Sequence, residues 1–241
     1  MPNKPLKTTK KKSFWRWVGK LLLYAFISSF LYALLLKWVY PPITITQLVS
    51  LVEGDGLKRD YVAYHNISPN YKLAAIASED QLFPDHSGFD WKSLEKSVLT
   101  KPKKKNKKRG AGASTISQQV AKNVFLWQGS GIFRHIRKIP EAYFTLLIEW
   151  LWGKERILDV YLNVIEMGQG VYGAEAASQF YFKKSAKNVS KNEAATVIAC
   201  LPNPKKFTVI PRSKFVQWKS QKILKQMKNI ASDDDVHALC Q

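Results

Sequence analysis

From Leu21 to Leu36 the chain carries no charge, and its only hydroxyls there are Tyr24, Ser28, Ser29 and Tyr32. With Lys37 snorkelling, the apolar run reaches Val39, about one bilayer crossing. Trp15 and Trp17 flank one end and Trp38 and Tyr40 the other, as interfacial aromatics do, and Pro41-Pro42 stops a helix. Lys4, Lys7, Lys10, Lys11, Lys12, Arg16 and Lys20 precede the run with no acidic residue among them. The positive-inside rule therefore predicts a cytoplasmic N-terminus and export of everything after residue 39. A cleaved signal peptide is the competing reading. It is disfavoured because the run exceeds a usual signal core and no small-x-small site precedes Pro41. The expected layout begins with a cytoplasmic basic tail over 1–20 and a transmembrane helix over 21–39.

The chain of 241 residues has room beyond such an anchor for one domain with a proper core. Residues 40–66 contain the turn-rich Glu53-Gly54-Asp55-Gly56 and read as a linker. A catalytic domain is expected over 67–230 and a C-terminal tail over 231–241. Alternating strand patterns are scarce, so the fold class is mainly α. Helices are predicted over Ala74 to Gln81, Ser114 to Asn123, Pro140 to Leu151, Ala174 to Tyr181, Lys191 to Leu201 and Lys214 to Asn229. Ile157, Leu158, Tyr161, Leu162 and Ile165 form another helical stripe, with Lys154, Glu155, Arg156 and Asp159 predicted toward water. Cys200 and Cys240 are the only cysteines, which excludes a disulfide framework or a thiolate metal cluster.

The formal charge of +20 predicts attraction to polyanions: nucleic acid, anionic lipid or a phosphorylated substrate. Lys101, Lys103, Lys104, Lys105, Lys107, Lys108 and Arg109 contribute a dense part of it. That run reads first as a solvated connection. Beside anionic lipid it also gains about 1 kcal/mol per charge. It has neither interleaved aromatics nor a groove-reading helix, so nucleic acid is not an expected partner. Val124 to Phe133 is apolar yet broken by Gly129 and Gly131, and reads equally as core or as a hydrophobic flap able to enter a bilayer.

Gly112 to Asn123 packs hydroxyls, amides and one lysine into a short segment suited to a polyoxygenated anion. Glu79 and Asp80 precede it, and Arg137, Lys138 and Glu141 follow. Ser114 is no hydrolase nucleophile, because no triad accompanies it. Glu141 lies four residues after Arg137, so on a helix the two share a face and can pair.

Five ordered segments resemble the motifs of the family 51 glycosyltransferases, the peptidoglycan glycosyltransferases. Glu79, Asp80, Phe83, His86, Gly88 and Asp90 match the first motif; Gly112 to Asn123 the second; Arg137, Lys138 and Glu141 the third. Lys154 to Asn163 match the fourth, and Ala194-Ala195 through Leu201-Pro202-Asn203-Pro204 the fifth. The resemblance implies a lysozyme-like large lobe with a small membrane-associated jaw lobe. It implies polymerisation of lipid II into β-1,4-linked glycan in bacterial cell wall biosynthesis, with release of undecaprenyl diphosphate. The partners implied are lipid II, the growing glycan chain, membrane lipids and other cell-wall synthesis proteins. The implied location is the bacterial inner membrane, single-pass, with the catalytic domain periplasmic. The length leaves no room for a transpeptidase domain, so a single-activity member is expected.

Displacing an α-linked diphosphate to give a β linkage inverts the anomeric carbon, which needs a base to take the proton of the attacking hydroxyl. Such catalysis is worth typically about 10²- to 10⁴-fold. The resemblance assigns that role to Glu79 and a second essential role to Glu141. Ser114, Thr115, Gln118, Gln119, Lys122, Arg134, Arg137 and Lys138 are the expected substrate-binding groups, with cations stabilising the departing diphosphate. The interval from Lys122 to Glu141 is about three residues longer than the family pattern, which leaves Arg134 and Arg137 both open as the phosphate-binding arginine. A divalent metal, Mg²⁺ or Mn²⁺, is implied by the family alone. Two rival readings are a glycan-cleaving, lysozyme-like or lytic enzyme, which would need no diphosphate site, and a non-enzymatic, membrane-tethered polyanion binder.

Overall fold

The computed structural model describes residues 9–91, 95, 114–129 and 131–241; the lysine run, Arg109, Gly112 and Ala113 lie outside them. In chain order the described elements are α1 (Thr9–Leu35), α2 (Ile45–Val52), β1 (Lys58–Arg59), α3 (Pro69–Glu79), α4 (Ile116–Phe125), α5 (Gly131–Ile136), α6 (Lys138–Leu151) and α7 (Lys154–Val164). They continue with β2 (Glu166–Gly168), β3 (Val171–Tyr172), α8 (Ala174–Phe182), α9 (Lys191–Ile198), α10 (Lys214–Ile230) and α11 (Asp234–Cys240). The expected mainly α class is observed. The chain divides into two units between Val39 and Tyr40.

The first unit is α1. Its stretch Phe14–Leu35 has a mean hydropathy of 1.8 and is long and apolar enough to cross a membrane. Few of its side chains are covered: Leu22 and Tyr24 remain about two-thirds exposed.

In the second unit α3 lies at the centre. Tyr71, Ala74, Ala75 and Ile76 are fully buried, and α9, α10 and α11 pack around it. A small-residue face permits that close approach. Ser68 caps α3 by accepting from the Asn70 amide, and Pro69 occupies its first turn. A second layer sets α4 against α6 and α7. A three-stranded sheet in the order β1-β3-β2, parallel then antiparallel, packs against α8. At Gly173 (φ +88°) any Cβ would sit 2.5 Å from the Asn163 carbonyl oxygen, so only glycine fits between α7 and α8.

Three expectations are corrected. Residues 40–66 are no bare linker: they form α2, a 3₁₀ turn at Tyr64–Asn66 and β1, which pairs with β3. Residues 231–241 are no loose tail, because α11 buries Val236 and Cys240 against α3. On α7, Asp159 faces inward instead of toward water. It accepts hydrogen bonds from Tyr40 (2.8 Å), Arg156 (2.6 Å) and Asn163 (3.1 Å); burial raises its pKa against the opposing pull of Tyr40 and Arg156. The hydrophobic stripe was legible, but burial of the opposite face depends on Tyr40 and Val62, which come from over a hundred residues away.

α2 is inverted for a helix in water. Thr46, Gln47 and Ser50 are buried, while Leu48, Leu51 and Val52 are 51%, 46% and 83% exposed. The inward polar groups are satisfied: Gln47 closes a capping box with Thr44 and donates to Tyr61, and Ser50 donates to the Gly56 carbonyl. Polar satisfaction fixes this orientation, and the apolar side is left outward.

Candidate active site

Glu79 ends α3 and Asp80 caps it, so the two neighbouring carboxylates leave the helix in different directions. Asp80 is buried. It accepts from the Ile116 amide (2.9 Å), at the start of α4, and from His86 Nε2 (3.0 Å). The Gly88 amide donates to His86 Nδ1 (3.1 Å), which assigns the ring proton to Nε2. Thr115 donates to the Gly88 carbonyl (2.7 Å) and forms a capping box with Gln118. Gly88 has φ +89°, and a Cβ there would meet Thr145 at 2.7 Å, so the turn requires glycine. These bonds hold α4 against the end of α3.

Glu79 is half-buried. Its Oε1 accepts from Ser78 (2.8 Å) and its Oε2 from the Gln119 carboxamide (3.1 Å). The Gln119 oxygen in turn accepts from the fully buried Tyr161 hydroxyl (3.3 Å). Burial holds the Tyr161 pKa well above the ordinary phenol value, with the Glu79 charge adding to the shift, so Tyr161 is a fixed donor.

Beyond Gln119, α4, α5 and α6 enclose a cavity of about 270 Å³. Ser114, Gln118, Gln119, Lys122, Arg134, Arg137, Lys138 and Glu141 line it, together with Gln128 and Gly129. Eight of the ten expected site residues thus share one concavity. Thr115 does not reach it, being buried as a helix cap, and Glu79 joins it through Gln119. Gln128, Gly129 and the Tyr161 relay were not anticipated. The sequence signal for Gln128 and Gly129 is the glycine-broken apolar segment from Val124 to Phe133, and Tyr161 is marked only as a member of the α7 stripe.

The cavity cations fall into two groups. Arg137 is buried; it donates to Glu141 Oε2 (3.2 Å), to the Trp127 carbonyl (2.7 Å) and to the Gln128 carbonyl. Lys138 engages the other Glu141 oxygen. The pairing of Arg137 with Glu141 follows the i,i+4 spacing, and it saturates a carboxylate that is almost wholly buried. The side chains of Lys122 and Arg134, by contrast, make no hydrogen bond or ion pair among the described residues. Burial first, then the Arg137 charge, lower the Lys122 pKa to about 8, against the opposing pull of Glu141 and Glu79. An anion entering the cavity would meet these two uncommitted cations.

A larger cavity of about 620 Å³ adjoins the first, sharing Gln119, Lys122, Gln128 and Gly129. α2 and the segment Leu201 to Lys205 form its far walls, and Trp127 and Tyr172 give it aromatic surface. The apolar segment that begins at Val124 divides. Val124 and Leu126 are buried as core, whereas Ile132, Phe133 and Ile136 on α5 are 69%, 61% and 54% exposed.

The family described as Transglycosylase matches residues 46–228. The chain belongs to the transglycosylase family. Its relatives in that family include a biosynthetic peptidoglycan transglycosylase of Bdellovibrio bacteriovorus, 44% identical over 88% of this chain and 85% of the relative. One of Haemophilus influenzae is 44% identical over 84% of each chain. One of Shewanella oneidensis is 41% identical over 91% of this chain and 93% of the relative. A transglycosylase is a glycosyl-transferring enzyme with a lysozyme-like helical domain, in keeping with the layers seen here.

The donor set of this transglycosylase does not fit a resident divalent cation. No cluster of three or more His, Cys, Asp or Glu side chains suited to a metal occurs among the described residues, and both Glu141 oxygens are held by cations. Burial pushes the Cys200 thiol up to about 12 and that of Cys240 to about 11, which leaves both as inert thiols.

Proposed function

We propose that this chain polymerises lipid II into β-1,4-linked glycan strands, releasing undecaprenyl diphosphate, as an anchored enzyme whose catalytic unit acts outside the cytoplasmic membrane. The observation that carries the reading is the pair of uncommitted cations, Lys122 and Arg134, in a cavity joined to Glu79 through Gln119. A glycan-cleaving enzyme has no use for a diphosphate site; a polymerase using a diphosphate-linked donor requires one.

Glu79 acts as general base on the acceptor 4-hydroxyl, its carboxylate aimed by Ser78 and Gln119. As the anomeric bond breaks, charge builds on the diphosphate, and preorganised cations in a partly enclosed cavity stabilise it without reorganising. Arg134 and Lys122 take the phosphate oxygens. Glu141 is an organiser: it holds Arg137, which in turn holds the Trp127 and Gln128 carbonyls at the cavity wall. Sugars fit the larger cavity, whose aromatic and amide lining suits pyranose faces and hydroxyls. No step runs through a metal.

The outward apolar residues of α2 and α5 belong to the same reading. Exposed apolar residues on amphipathic helices beside an active site suit shallow immersion in a bilayer. A lipid-linked substrate then reaches the cavity without leaving the membrane. The stretch Phe14–Leu35 of α1 crosses the membrane, and the basic residues before it stay in the cytoplasm.

The test is incubation of the full chain with lipid II and analysis of the products by length. Polymer formation that is lost in Glu79→Gln supports the reading. Shortening of preformed glycan without polymerisation overturns it, as does normal polymerisation by a folded Glu79→Gln protein.

A further inference from the structure

Between Ala194 and Ser232 the chain carries eight lysines and arginines and no acidic residue. Part of this charge lies on the outer face of α10, where Lys214, Trp218, Lys222 and Lys225 are exposed opposite the buried Val216, Ile223 and Met227. That face is not a plain solvated lysine face. Phe207 stacks on Phe215 at 4.0 Å, Phe215 meets Trp218 at 5.7 Å, and the Lys222 ammonium stands 4.2 Å from the Trp218 ring centre. Trp218 is 53% exposed, at a position where a residue without partners would ordinarily be polar.

This aromatic row continues the wall of the larger cavity. Leu201 to Lys205 line that cavity, and the Asn203 carbonyl accepts from the amides of Lys206 (3.0 Å) and Phe207 (2.8 Å). The same short turn therefore ends the cavity and begins the row. From Lys214 to Lys225 the helix extends the surface by roughly another 16 Å.

We infer that this row is a track for the glycan strand made at the site, running from the larger cavity past Phe207 and Phe215 to Trp218 and Lys225. The inference rests on the proposed polymerase activity. The partner's chemistry matches the surface on two counts. Pyranose rings offer apolar C–H faces that pack on aromatic rings, and the peptide-bearing sugars of such a strand carry carboxylates that meet lysines. A bilayer is the poorer match, because most of the apolar outward residues that suit it lie on α2, α5 and α6, whereas this face is mostly cationic. The track gives a growing strand a hold beyond the reaction centre, so that it stays bound between additions.

The test compares the full chain with a Trp218→Ala, Lys222→Gln, Lys225→Gln variant in neutral detergent micelles. Strand length per lipid II consumed should fall severalfold, and the Kd for purified soluble glycan strands bearing stem peptides should rise about tenfold. All three side chains are exposed, so unchanged thermal unfolding should accompany both effects. Unchanged strand length and unchanged strand binding overturn the track. Shortening that appears only in anionic vesicles, and not in neutral detergent, assigns the face to lipid headgroups and also overturns it. A wild-type chain that makes no polymer refutes the polymerase reading, whereas a polymerising wild type with an indistinguishable variant refutes the track alone.

Discussion

Gln119 donates to Glu79 Oε2 at 3.1 Å while accepting from Tyr161 at 3.3 Å, so one carboxamide joins a buried phenol to the proposed base. Its role is to aim. Gln119→Ala should lower kcat roughly tenfold, the scale of one hydrogen bond to a charged group, with a much smaller effect on KM. Steady-state kinetics on lipid II check this. A change confined to KM would make Gln119 a binding group instead.

Lys122 sets stability against function. Its folded pKa of about 8 lies below the ordinary 10.5, so between those values the unfolded chain binds more protons than the folded one. Stability should therefore rise with pH across that window, and below pH 8 the buried charge costs the fold its full penalty. Lys122→Met should raise Tm at pH 7, at about 2–4 °C per kcal/mol for a unit of this size, while abolishing polymerisation. Calorimetry and the lipid II assay read the two effects.

Diphosphate binding should follow the same proton. The anion favours charged Lys122, so affinity for a diphosphate-bearing inhibitor should decline as pH rises through about 8, with proton uptake on binding above that value. Titration calorimetry in buffers of different ionisation enthalpy measures the uptake. A flat pH profile would remove Lys122 from the phosphate site.

The two arginines should separate cleanly. Arg134→Ala should weaken diphosphate binding roughly tenfold and leave unfolding unchanged, because Arg134 is exposed and uncommitted. Arg137→Ala should destabilise by about 3–5 kcal/mol, because it removes the i,i+4 partner of a buried carboxylate. Urea unfolding and inhibitor binding, measured on both variants, test the assignment.

Leu48 and Val52 should matter to the membrane and not to the fold. Leu48→Ser with Val52→Ser should reduce binding of the full chain to lipid vesicles and turnover there, with no loss of thermal stability, because both side chains point outward. Cosedimentation with vesicles provides the readout.

Much of this was legible because it is local. The stripe from Ile157 to Ile165, the helices beginning near Ser114, Lys191 and Lys214 and the Arg137–Glu141 pair each lie within a few turns of helix, where spacing fixes geometry. Choosing between Arg134 and Arg137 was not possible from spacing, since Arg137 is claimed by carbonyls of a chain segment that turns back onto it. The Tyr161–Gln119–Glu79 relay joins residues 42 and 40 positions apart, and no periodicity encodes that. α2 was missed for another reason: it has only eight residues, and its polarity is inside out, so its apolar side marks the outside.

The bonds from Asp80 to the Ile116 amide and from Thr115 to the Gly88 carbonyl pin both ends of the stretch between Gly88 and Thr115 at one point. Chain entering and leaving through a single clasp can lengthen without moving the clasp. For a flexible insertion, each doubling of loop length costs only about 0.6 kcal/mol in closure entropy. The spacing of Glu79 and Lys122 is thus set by the clasp itself, whatever the length of chain between Gly88 and Thr115.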